Sequence, residues 1–475
     1  MTDRPSARPS PARSAVVLGG SLAGLLTACA LACFTRVTVV ERDVLPAGPQ
    51  PRRGLPQARH AHMLWSGGVL AMEELLPGIG VELAAVGARR TPVTTDVVAL
   101  SAQGWFRRWP ESHHVVLASR DLLDATVRAR VLSDGRIGLL DGTEALGLTG
   151  TDLAVTGVRV REPGGRERVL EADLVVDATG RGSSAPRWLT SLGLPEAERR
   201  EVDSGLVYAS RLYLAPEGAR DGFPVVNVQP APRHGRHGSG GGPGRSGWLL
   251  PIENGRWIVT LSGTRGGEPT AGNADFVPFA RDGLRHPLLG ELLEHAEPLT
   301  DVTLTRSTVN RRHHYERMPV WPDGLTVVGD ALAAFNPVYG HGMSVAAQSA
   351  VRLRDTVRRY GWGSPGLSRR VQRAVARPVG AAWDLAIGQD VFYPGATEHG
   401  PTLRDRLVSA YVARLMHTAT GNGRMARRVT DVTSLEHEPP VLLTPGTLLA
   451  AAIGPLKPPL PGPPLTPEER KAAGL

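Results

Sequence analysis

Cysteine is almost absent from this sequence, which has only Cys29 and Cys33 among 475 residues. Two cysteines cannot form a disulfide framework, so we expect a reducing, cytoplasmic environment. No secretory signal is evident, because residues 1–13 are polar and rich in arginine, proline and serine, a composition typical of a disordered tail. Residues 14–35 are uncharged, but the glycine turn within them favours strand, turn and helix over a membrane span.

Lysine is equally scarce, at positions 457 and 471 only, so arginine supplies nearly all of the 54 basic residues. With 46 acidic residues, the net charge is +8. The arginines are spread along the chain rather than clustered in a recognisable nucleic-acid-binding module. This pattern argues against nucleic-acid partners and favours the phosphates of an anionic cofactor. Histidine pairs such as His60 and His62 lack accompanying cysteine or carboxylate clusters, so no metal site is predicted.

The hydrophobic pattern predicts an α/β fold with two or three domains. Short aliphatic runs predict strands of one sheet at 15–18, 36–40, 174–177 and 325–328. Alternating runs predict a second, more antiparallel sheet at 206–214, 248–252, 256–262 and 302–309. Helices are predicted over 22–33, 63–76, 119–132, 343–360 and 367–387.

The order of these elements predicts a discontinuous domain. Residues 14–185 and 318–360 are assigned to a Rossmann-like dinucleotide-binding domain, and residues 186–317 to an inserted domain with a mixed β-sheet. Residues 361–475 are predicted to form C-terminal helices and a proline-rich tail that wraps around the fold. A loop at 233–247, rich in glycine, arginine and histidine, is predicted to be mobile.

The first chemical motif is Gly19-Gly20-Ser21-Leu22-Ala23-Gly24, between a predicted strand and a predicted helix. It is similar to the pattern G-x-G-x-x-G, in which the glycines allow a tight turn, close approach to a diphosphate and close packing of helix on strand. Ser21 replaces the second glycine. Glu41 ends the next predicted strand, where an acid hydrogen-bonds the ribose of adenosine. We therefore predict a dinucleotide site.

The second motif distinguishes FAD from a nicotinamide. Gly329 and Asp330 follow an aliphatic strand, where a carboxylate can hydrogen-bond the ribityl hydroxyls of a flavin. Pro337, Gly340 and Gly342 then lead into a helix that opens at Met343. The N-terminus of that helix can hold the pyrimidine carbonyl of an isoalloxazine ring and stabilise the reduced anion.

Together these motifs resemble the class A flavoprotein monooxygenases, which have the glutathione-reductase/para-hydroxybenzoate hydroxylase type of FAD domain. Residues 53–68, 262–269 and 335–344 more specifically resemble the flavin epoxidases of polyether ionophore biosynthesis in actinomycetes. The resemblance implies that Arg52 and Arg120 approach the FAD phosphates and ribityl chain. The full set of cofactor-binding residues it implies is Gly19, Gly20, Ser21, Leu22, Ala23, Gly24, Glu41, Arg42, Arg52, Arg120, Thr179, Gly180, Asp330, Pro337, Gly340, Gly342 and Met343.

The resemblance implies epoxidation of the alkenes of an apolar linear polyketide by O2 and reduced FAD, through a flavin C4a-hydroperoxide. The electrons are expected from NADPH or NADH, directly or through a separate flavin reductase, and the substrate arrives free or on an acyl carrier protein. No catalytic side chain is assigned, because a neutral alkene needs no general base. The loop containing Pro337, Gly340 and Gly342 is expected to form the wall of the active site on the side of the flavin where oxygen reacts, and is called the oxygen-side loop below.

The inserted domain is expected to supply a long, mostly apolar cavity over the flavin. Tyr208, Tyr213 and Trp248 are candidates to line it, although each could equally belong to the core.

Other activities of the same fold remain open. An aromatic-ring hydroxylase and a flavin-dependent double-bond reductase are both compatible with the motifs. A flavin-dependent halogenase is not favoured, because it needs a lysine and a Trp-x-Trp-x-Ile-Pro segment, and this sequence has no lysine before position 457. Residues 329–343 argue against a nicotinamide dehydrogenase or a non-catalytic binding protein. Thr179 stands where the hydroxylases usually carry aspartate, so NADPH docking is expected to differ from theirs.

Overall fold

A computed structural model describes residues 13–231 and 242–475. Most of the predicted tail at 1–13 and much of the predicted loop at 233–247 lie outside the described residues. The strands are β1 (Ser14–Leu18), β2 (Arg36–Val40), β3 (Met63–Trp65), β4 (Arg89–Pro92), β5 (Val97–Ser101), β6 (Gly104–Trp105), β7 (His114–Leu117), β8 (Ile137–Leu140), β9 (Glu144–Gly150), β10 (Val155–Arg161), β11 (Glu167–Glu171), β12 (Leu174–Asp177), β13 (Arg199–Val202), β14 (Val207–Leu214), β15 (Val225–Val228), β16 (Arg245–Ile252), β17 (Arg256–Gly263), β18 (Glu297–Pro298), β19 (Thr303–Thr305), β20 (Asn310–His313), β21 (Leu325–Val327) and β22 (Ala333–Ala334).

The helices are α1 (Leu22–Ala32), α2 (Ser66–Leu75), α3 (Ile79–Ala85), α4 (Val93–Asp96), α5 (Arg120–Leu132), α6 (Ala185–Ser191), α7 (Phe276–Pro278), α8 (Leu288–Glu294), α9 (Gly342–Tyr360), α10 (Leu367–Asp390), α11 (Leu403–Gly421), α12 (Gly423–Thr433), α13 (Pro445–Ile453) and α14 (Pro467–Ala473). No helix in these ranges combines the length and apolarity needed to cross a lipid bilayer.

A parallel sheet with the strand order β21-β12-β1-β2-β8 organises the first half of the fold. Its central strands are aliphatic and almost fully buried, as expected for a parallel sheet covered on both faces. Helix α9 packs against α1, α2 and α10 beside this sheet. Since β21 follows the predicted insertion in sequence and pairs with β12, the discontinuous sheet inferred from the aliphatic runs is present.

A second, mostly antiparallel sheet has the strand order β18-β14-β17-β16-β15-β5-β6, with β19 also paired to β14. Strands β5 and β6 come from before the inserted segment, so this sheet draws on more of the chain than residues 186–317. At the other end of the sequence, Leu465 and Ala473 are buried in the apolar cluster of this sheet. The proline-rich tail therefore wraps over the second sheet, and it also contains α13 and α14.

Two predicted elements differ from the structure. The helix predicted over 63–76 begins only at Ser66, because Met63–Trp65 pairs with β7 as strand β3. The strand predicted over 302–309 is shorter: only Thr303–Thr305 pairs with β14, and Asn310–His313 belongs to a different, three-stranded sheet.

Candidate active site

The predicted glycine loop lies where β1 ends and α1 begins. Gly19 has a φ of +103°, and a Cβ there would lie 2.5 Å from the carbonyl oxygen of Ala178. A Cβ on Gly24 would lie 1.8 Å from the carbonyl oxygen of Gly19. The two glycines thus allow the first turn of α1 to close on the strand end. Ser21 precedes α1 without capping it through its side chain, which leaves the first backbone N–H groups of the helix for a ligand.

The cofactor residues predicted on different motifs meet along one edge of the parallel sheet. Gly19 follows β1, Glu41 follows β2, Thr179 lies just beyond β12 and Asp330 lies just beyond β21. In the sheet order β21-β12-β1-β2 these positions are neighbours at the carboxyl ends of parallel strands. Ligands of open α/β sheets bind at this edge.

Glu41 is held in a buried ion-pair network. Its Oε2 accepts hydrogen bonds from the backbone N–H of Gly20 at 2.7 Å and from Arg52 Nη2 at 2.9 Å. Arg52 also donates to Asp124 Oδ2 at 3.0 Å, and Arg128 donates to the same oxygen at 2.9 Å. Sequence reasoning missed both of these last residues. The charge of Arg52 is therefore balanced by two protein carboxylates. Its contact with Glu41 orients that carboxylate beside the glycine loop.

Arg120 is a second buried cation at the glycine loop, beside Arg52, whose Nη1 donates to the carbonyl oxygen of Gly20 at 3.1 Å. Arg120 is the first residue of α5, whose N-terminus is capped by the side chain of Ser119. Its Nη2 donates to the hydroxyl of Ser21 at 3.3 Å, so the serine that replaces glycine serves as an anchor for this arginine. Burial lowers the pKa of Arg120, while the charges of Asp124 and Asp330 raise it. The predicted residue Arg42, by contrast, is exposed at the end of β2.

Asp330 presents a carboxylate to which no residue in the described ranges donates a hydrogen bond. Burial raises its pKa, and the nearby charges of Arg181 and Arg120 lower it. Gly329, with a φ of +60°, brings this turn against α1, because a Cβ there would lie 2.8 Å from Cβ of Ala23. An acceptor without a protein donor beside the glycine loop suits a ligand that carries hydroxyl groups.

Thr179 and Gly180 form the edge between these two motifs. The backbone N–H and the hydroxyl of Thr179 donate to Asp177 Oδ1 at 2.9 and 2.6 Å. Gly180 has a φ of +79°, and a Cβ there would meet no atom within 4 Å. The edge is therefore open beside Gly180. An open edge, free helix N–H groups and an unengaged carboxylate together fit the diphosphate and ribityl groups of FAD.

The oxygen-side loop, residues 336–342, leads into α9. Pro337–Tyr339 form a short 3-10 turn, and Gly340 has a φ of +65°. Trp65 Nε1 donates to the carbonyl oxygen of Tyr339 at 3.3 Å. A Cβ on Gly342 would lie 3.8 Å from Asp330 Oδ1, so the start of α9 adjoins the unengaged carboxylate. Met343 is buried in the first turn of α9.

A buried polar network underlies this loop. Asp390, the last residue of α10, accepts hydrogen bonds from Asn310 Nδ2 at 2.7 Å, Asn336 Nδ2 at 2.9 Å and the hydroxyl of Tyr339 at 3.0 Å. Tyr208 donates to Asn336 Oδ1 at 2.7 Å. Of these five residues, only Tyr208 was predicted as a site residue. Asn336 and Tyr339 lie within the run 335–344 that resembles the epoxidases but were given no role of their own, and Asn310 and Asp390 carry no local motif.

A cavity of about 110 Å³ adjoins the network on the side of the second sheet. Its lining is mixed, since Leu206, Trp248 and Val338 are accompanied by Gln229, Gln389 and Asp390. A cavity of this size and lining is not the long apolar cavity expected from the sequence.

The three aromatic candidates occupy different places. Trp248 lines the cavity, and Tyr208 reaches its wall through Asn336. Tyr213 lies elsewhere, in the apolar cluster of the second sheet, with its ring 6.1 Å from that of Phe276. Tyr213 is therefore a core residue, as the alternative reading allowed.

His60 contacts the second sheet, and His62 contacts His60. His60 Nδ1 lies 2.8 Å from the hydroxyl of Ser210 on β14, and His62 Nδ1 lies 2.8 Å from the carbonyl oxygen of His60. Burial and, to a lesser extent, the charge of Arg120 lower the pKa of His62 to about 3. His62 therefore stays neutral next to the cofactor edge, a position that sequence reasoning did not assign.

Comparisons with known proteins place the chain among relatives of similar length. No known family model matches it. It is 30% identical over 406 residues to Protein Rv3254 of Mycobacterium tuberculosis, covering 82% of this chain and 83% of that protein. It is 27% identical over 368 residues to a kynurenine 3-monooxygenase of Salinispora tropica, covering 72% of this chain and 71% of that protein.

Solved structures resemble it in fold. The flavin-dependent brominase Bmp2 matches with a TM-score of 0.64 at 15% identity, covering 89% of this chain and 93% of the brominase. PqsL of Pseudomonas aeruginosa, described as a probable FAD-dependent monooxygenase, matches with a TM-score of 0.60 at 17% identity, covering 81% and 97% of the two chains. These matches confirm the predicted fold class.

Proposed function

The chain belongs to the same family as the mycobacterial Protein Rv3254, and from that membership and the site geometry we propose that it is an FAD-dependent monooxygenase of class A type. The observation that carries the proposal is the Asp330 carboxylate, which accepts no hydrogen bond from the described residues and adjoins both the glycine loop and the start of α9. A flavin whose ribityl hydroxyls donate to Asp330 would extend from the N-terminus of α1, at the glycine loop, to the N-terminus of α9.

Each part of the site has a binding role in this proposal. Glu41, oriented by Arg52, would accept hydrogen bonds from the adenosine ribose. The backbone N–H groups at the start of α1 would hold the diphosphate, with the charge of Arg120 close by. The N-terminus of α9 would face the pyrimidine edge of the flavin ring, where negative charge is favoured. FAD, once reduced by NADPH or NADH directly or through a flavin reductase, supplies the chemistry that activates O2.

The proposed substrate is a linear polyketide, one alkene of which is converted to an epoxide. One oxygen atom of O2 enters the double bond and the other leaves as water, with two electrons and two protons consumed. A neutral alkene needs no side-chain base, so the loop 336–342 has only to exclude water and hold the alkene close to the flavin. This part of the proposal rests on the resemblance of residues 53–68, 262–269 and 335–344 to polyether epoxidases.

Aromatic hydroxylation is the second candidate, and the cavity favours it. A volume of about 110 Å³ with polar groups such as Gln229 and Gln389 suits a single substituted ring better than an extended apolar chain. The similarity to a kynurenine 3-monooxygenase supports the same alternative.

Halogenation has no comparable support, although the brominase shares the fold. The two lysines of the sequence lie in its last 19 residues. Lys457 is exposed, and its ammonium group lies 5.3 Å from the ring of Trp109, away from the cofactor edge.

The test is a substrate comparison with the purified holoprotein. Anaerobic mixing with NADPH, or with NADPH and a flavin reductase, should bleach the flavin absorbance. Admission of air with a polyene ester in one sample and a substituted phenol or aniline in another should then yield an epoxide or a hydroxylated ring. A saturated product would indicate a reductase, and a protein that binds no flavin would refute the proposal.

A further inference from the structure

Asp390 is a buried carboxylate without a cationic partner. It is 4% exposed, and no lysine or arginine of the described residues lies within ion-pair distance of it. It accepts hydrogen bonds instead from neutral groups, namely two amides and a phenol, and the Ser204 side chain is a further hydrogen-bond partner that lowers its pKa. Burial raises the pKa of Asp390, so its ionised form is disfavoured here, and a leucine or alanine at the end of α10 would be more stable if packing were all that mattered.

Oδ2 of Asp390 accepts from both amides, and an accepting oxygen sets the direction of an amide group, whose nitrogen can only donate. The amide nitrogen of Asn336 must therefore point towards Asp390, and its oxygen away from it. That oxygen accepts from the hydroxyl of Tyr208 at 2.7 Å and from the backbone N–H of Val338 at 3.2 Å. The backbone N–H of Asn336 is in turn held by Asn310 Oδ1 at 2.7 Å.

Both ends of the turn in the oxygen-side loop are thus tied to one residue. Oδ2 of Asp390 holds Asn336 immediately before the turn, and Oδ1 holds Tyr339, its last residue. The turn continues through Gly340 into the start of α9, beside Asp330. A change at Asp390 would therefore reach the cofactor edge through the loop.

We propose that Asp390 is the positioning residue that fixes the oxygen-side loop, and with it the start of α9, in the geometry that binds the flavin ring. This inference rests on the proposed FAD site. Asp390 reaches the cofactor only through Asn336 and Tyr339.

The test compares Asp390→Asn with Asp384→Asn. Asparagine has the shape of aspartate, and its amide nitrogen would face Tyr339, whose hydroxyl would have to become the acceptor. Asp384 lies on the same helix, is exposed and takes part in no side-chain hydrogen bond in the described structure, so the same substitution there is a matched control. Apoprotein of each variant is titrated with FAD while the quenching of flavin fluorescence is followed, and the visible spectrum of the bound flavin is recorded.

Asp390→Asn should raise the FAD dissociation constant about 5- to 20-fold, as expected when hydrogen bonds to a charged group are weakened, and should alter the fine structure of the flavin spectrum. Asp384→Asn should leave both unchanged. If wild-type protein binds FAD and the two variants behave alike, the role of Asp390 is refuted. If the wild type binds no FAD, the proposed function fails instead.

A second variant keeps the inference testable should Asp390→Asn fail to fold. Tyr339→Phe removes only the hydroxyl that donates to Asp390 and should alter the flavin spectrum in the same direction. In the double variant the two effects on FAD affinity should be less than additive, because both remove the same contact. Fully additive effects, or a Tyr339→Phe spectrum identical to the wild type, would overturn the coupling between loop and carboxylate.

Discussion

Replacement of Asp330 by alanine separates a binding role from a folding role, because the two roles predict opposite signs. The carboxylate accepts no hydrogen bond from the described residues, and burial raises its pKa. A raised pKa means that the folded state disfavours the ionised form relative to the unfolded chain. The ionised Asp330 carboxylate therefore lowers the free energy of unfolding of the apoprotein at pH values above the ordinary carboxyl pKa. Its removal should leave apoprotein stability unchanged or increased at neutral pH.

The affinity for FAD should fall in the same variant. A hydrogen bond between a carboxylate and a ribityl hydroxyl contributes about 1.5–3 kcal/mol. Since about 1.4 kcal/mol corresponds to a tenfold change in a dissociation constant, the loss of this bond should raise that constant by about 10- to 100-fold. Asp330→Asn, which keeps a neutral acceptor, should give a smaller rise.

The assay combines fluorescence titration of apoprotein with FAD and urea unfolding of the same apoprotein. Asp152→Ala is the control, since Asp152 is exposed in the turn between β9 and β10. It should change neither quantity. A variant at Asp330 that binds FAD like the wild type, or whose apoprotein is strongly destabilised, would show that this carboxylate serves the fold rather than the ligand.

Three further changes test other parts of the structure. Arg52→Met leaves the buried Glu41 without a cationic partner and Asp124 with Arg128 alone, and should lower the free energy of unfolding by about 3–5 kcal/mol in urea titrations, whereas Arg53→Met, at an exposed neighbour, should have little effect. Gly24→Ala places a Cβ 1.8 Å from a carbonyl oxygen and should cost about 1–3 kcal/mol or more with loss of FAD binding, while Gly48→Ala, with no atom within 4 Å, should be tolerated. Burial lowers the pKa of His341 to about 4, so the stability that the neutral ring contributes is fully present above about pH 6.5 and is lost as the pH falls towards 4. In urea unfolding, His341→Gln should therefore lose less stability than the wild type between pH 7 and pH 5.

The parallel sheet was predictable because its signals are local. The glycine loop, strands β1 and β2 and the acid after β2 lie within residues 14–41, and the aliphatic runs at 174–177 and 325–328 are each recognisable by themselves, whereas β8 of the same sheet was not predicted. The structure of residues 63–76 was not predictable in the same way, because a short apolar run is compatible with a helix or a strand until its pairing partner is known. Pairing with β7, about fifty residues away, makes its first three residues a strand.

The contacts within the site depended on long-range pairing. The sequence predicted Arg52 near the cofactor but could not show that Asp124, 72 residues away, would take up its charge. Asp390 likewise lies 54 residues from Asn336. The alternation of side chains along a strand does distinguish two of the aromatic candidates: Tyr208 and Tyr213 are an odd number of residues apart on β14, so they face opposite sides of the sheet and cannot both line one cavity.

The most direct test of the central claim is the fate of isotopically labelled oxygen. Holoprotein supplied with NADPH, a flavin reductase and 18O2 should transfer one labelled atom into a polyene or an aromatic substrate, as read by mass spectrometry, with one pair of electrons consumed for each atom inserted. Flavin that remains bound while the product carries oxygen only from water, or no oxygen at all, would contradict the assignment of a monooxygenase.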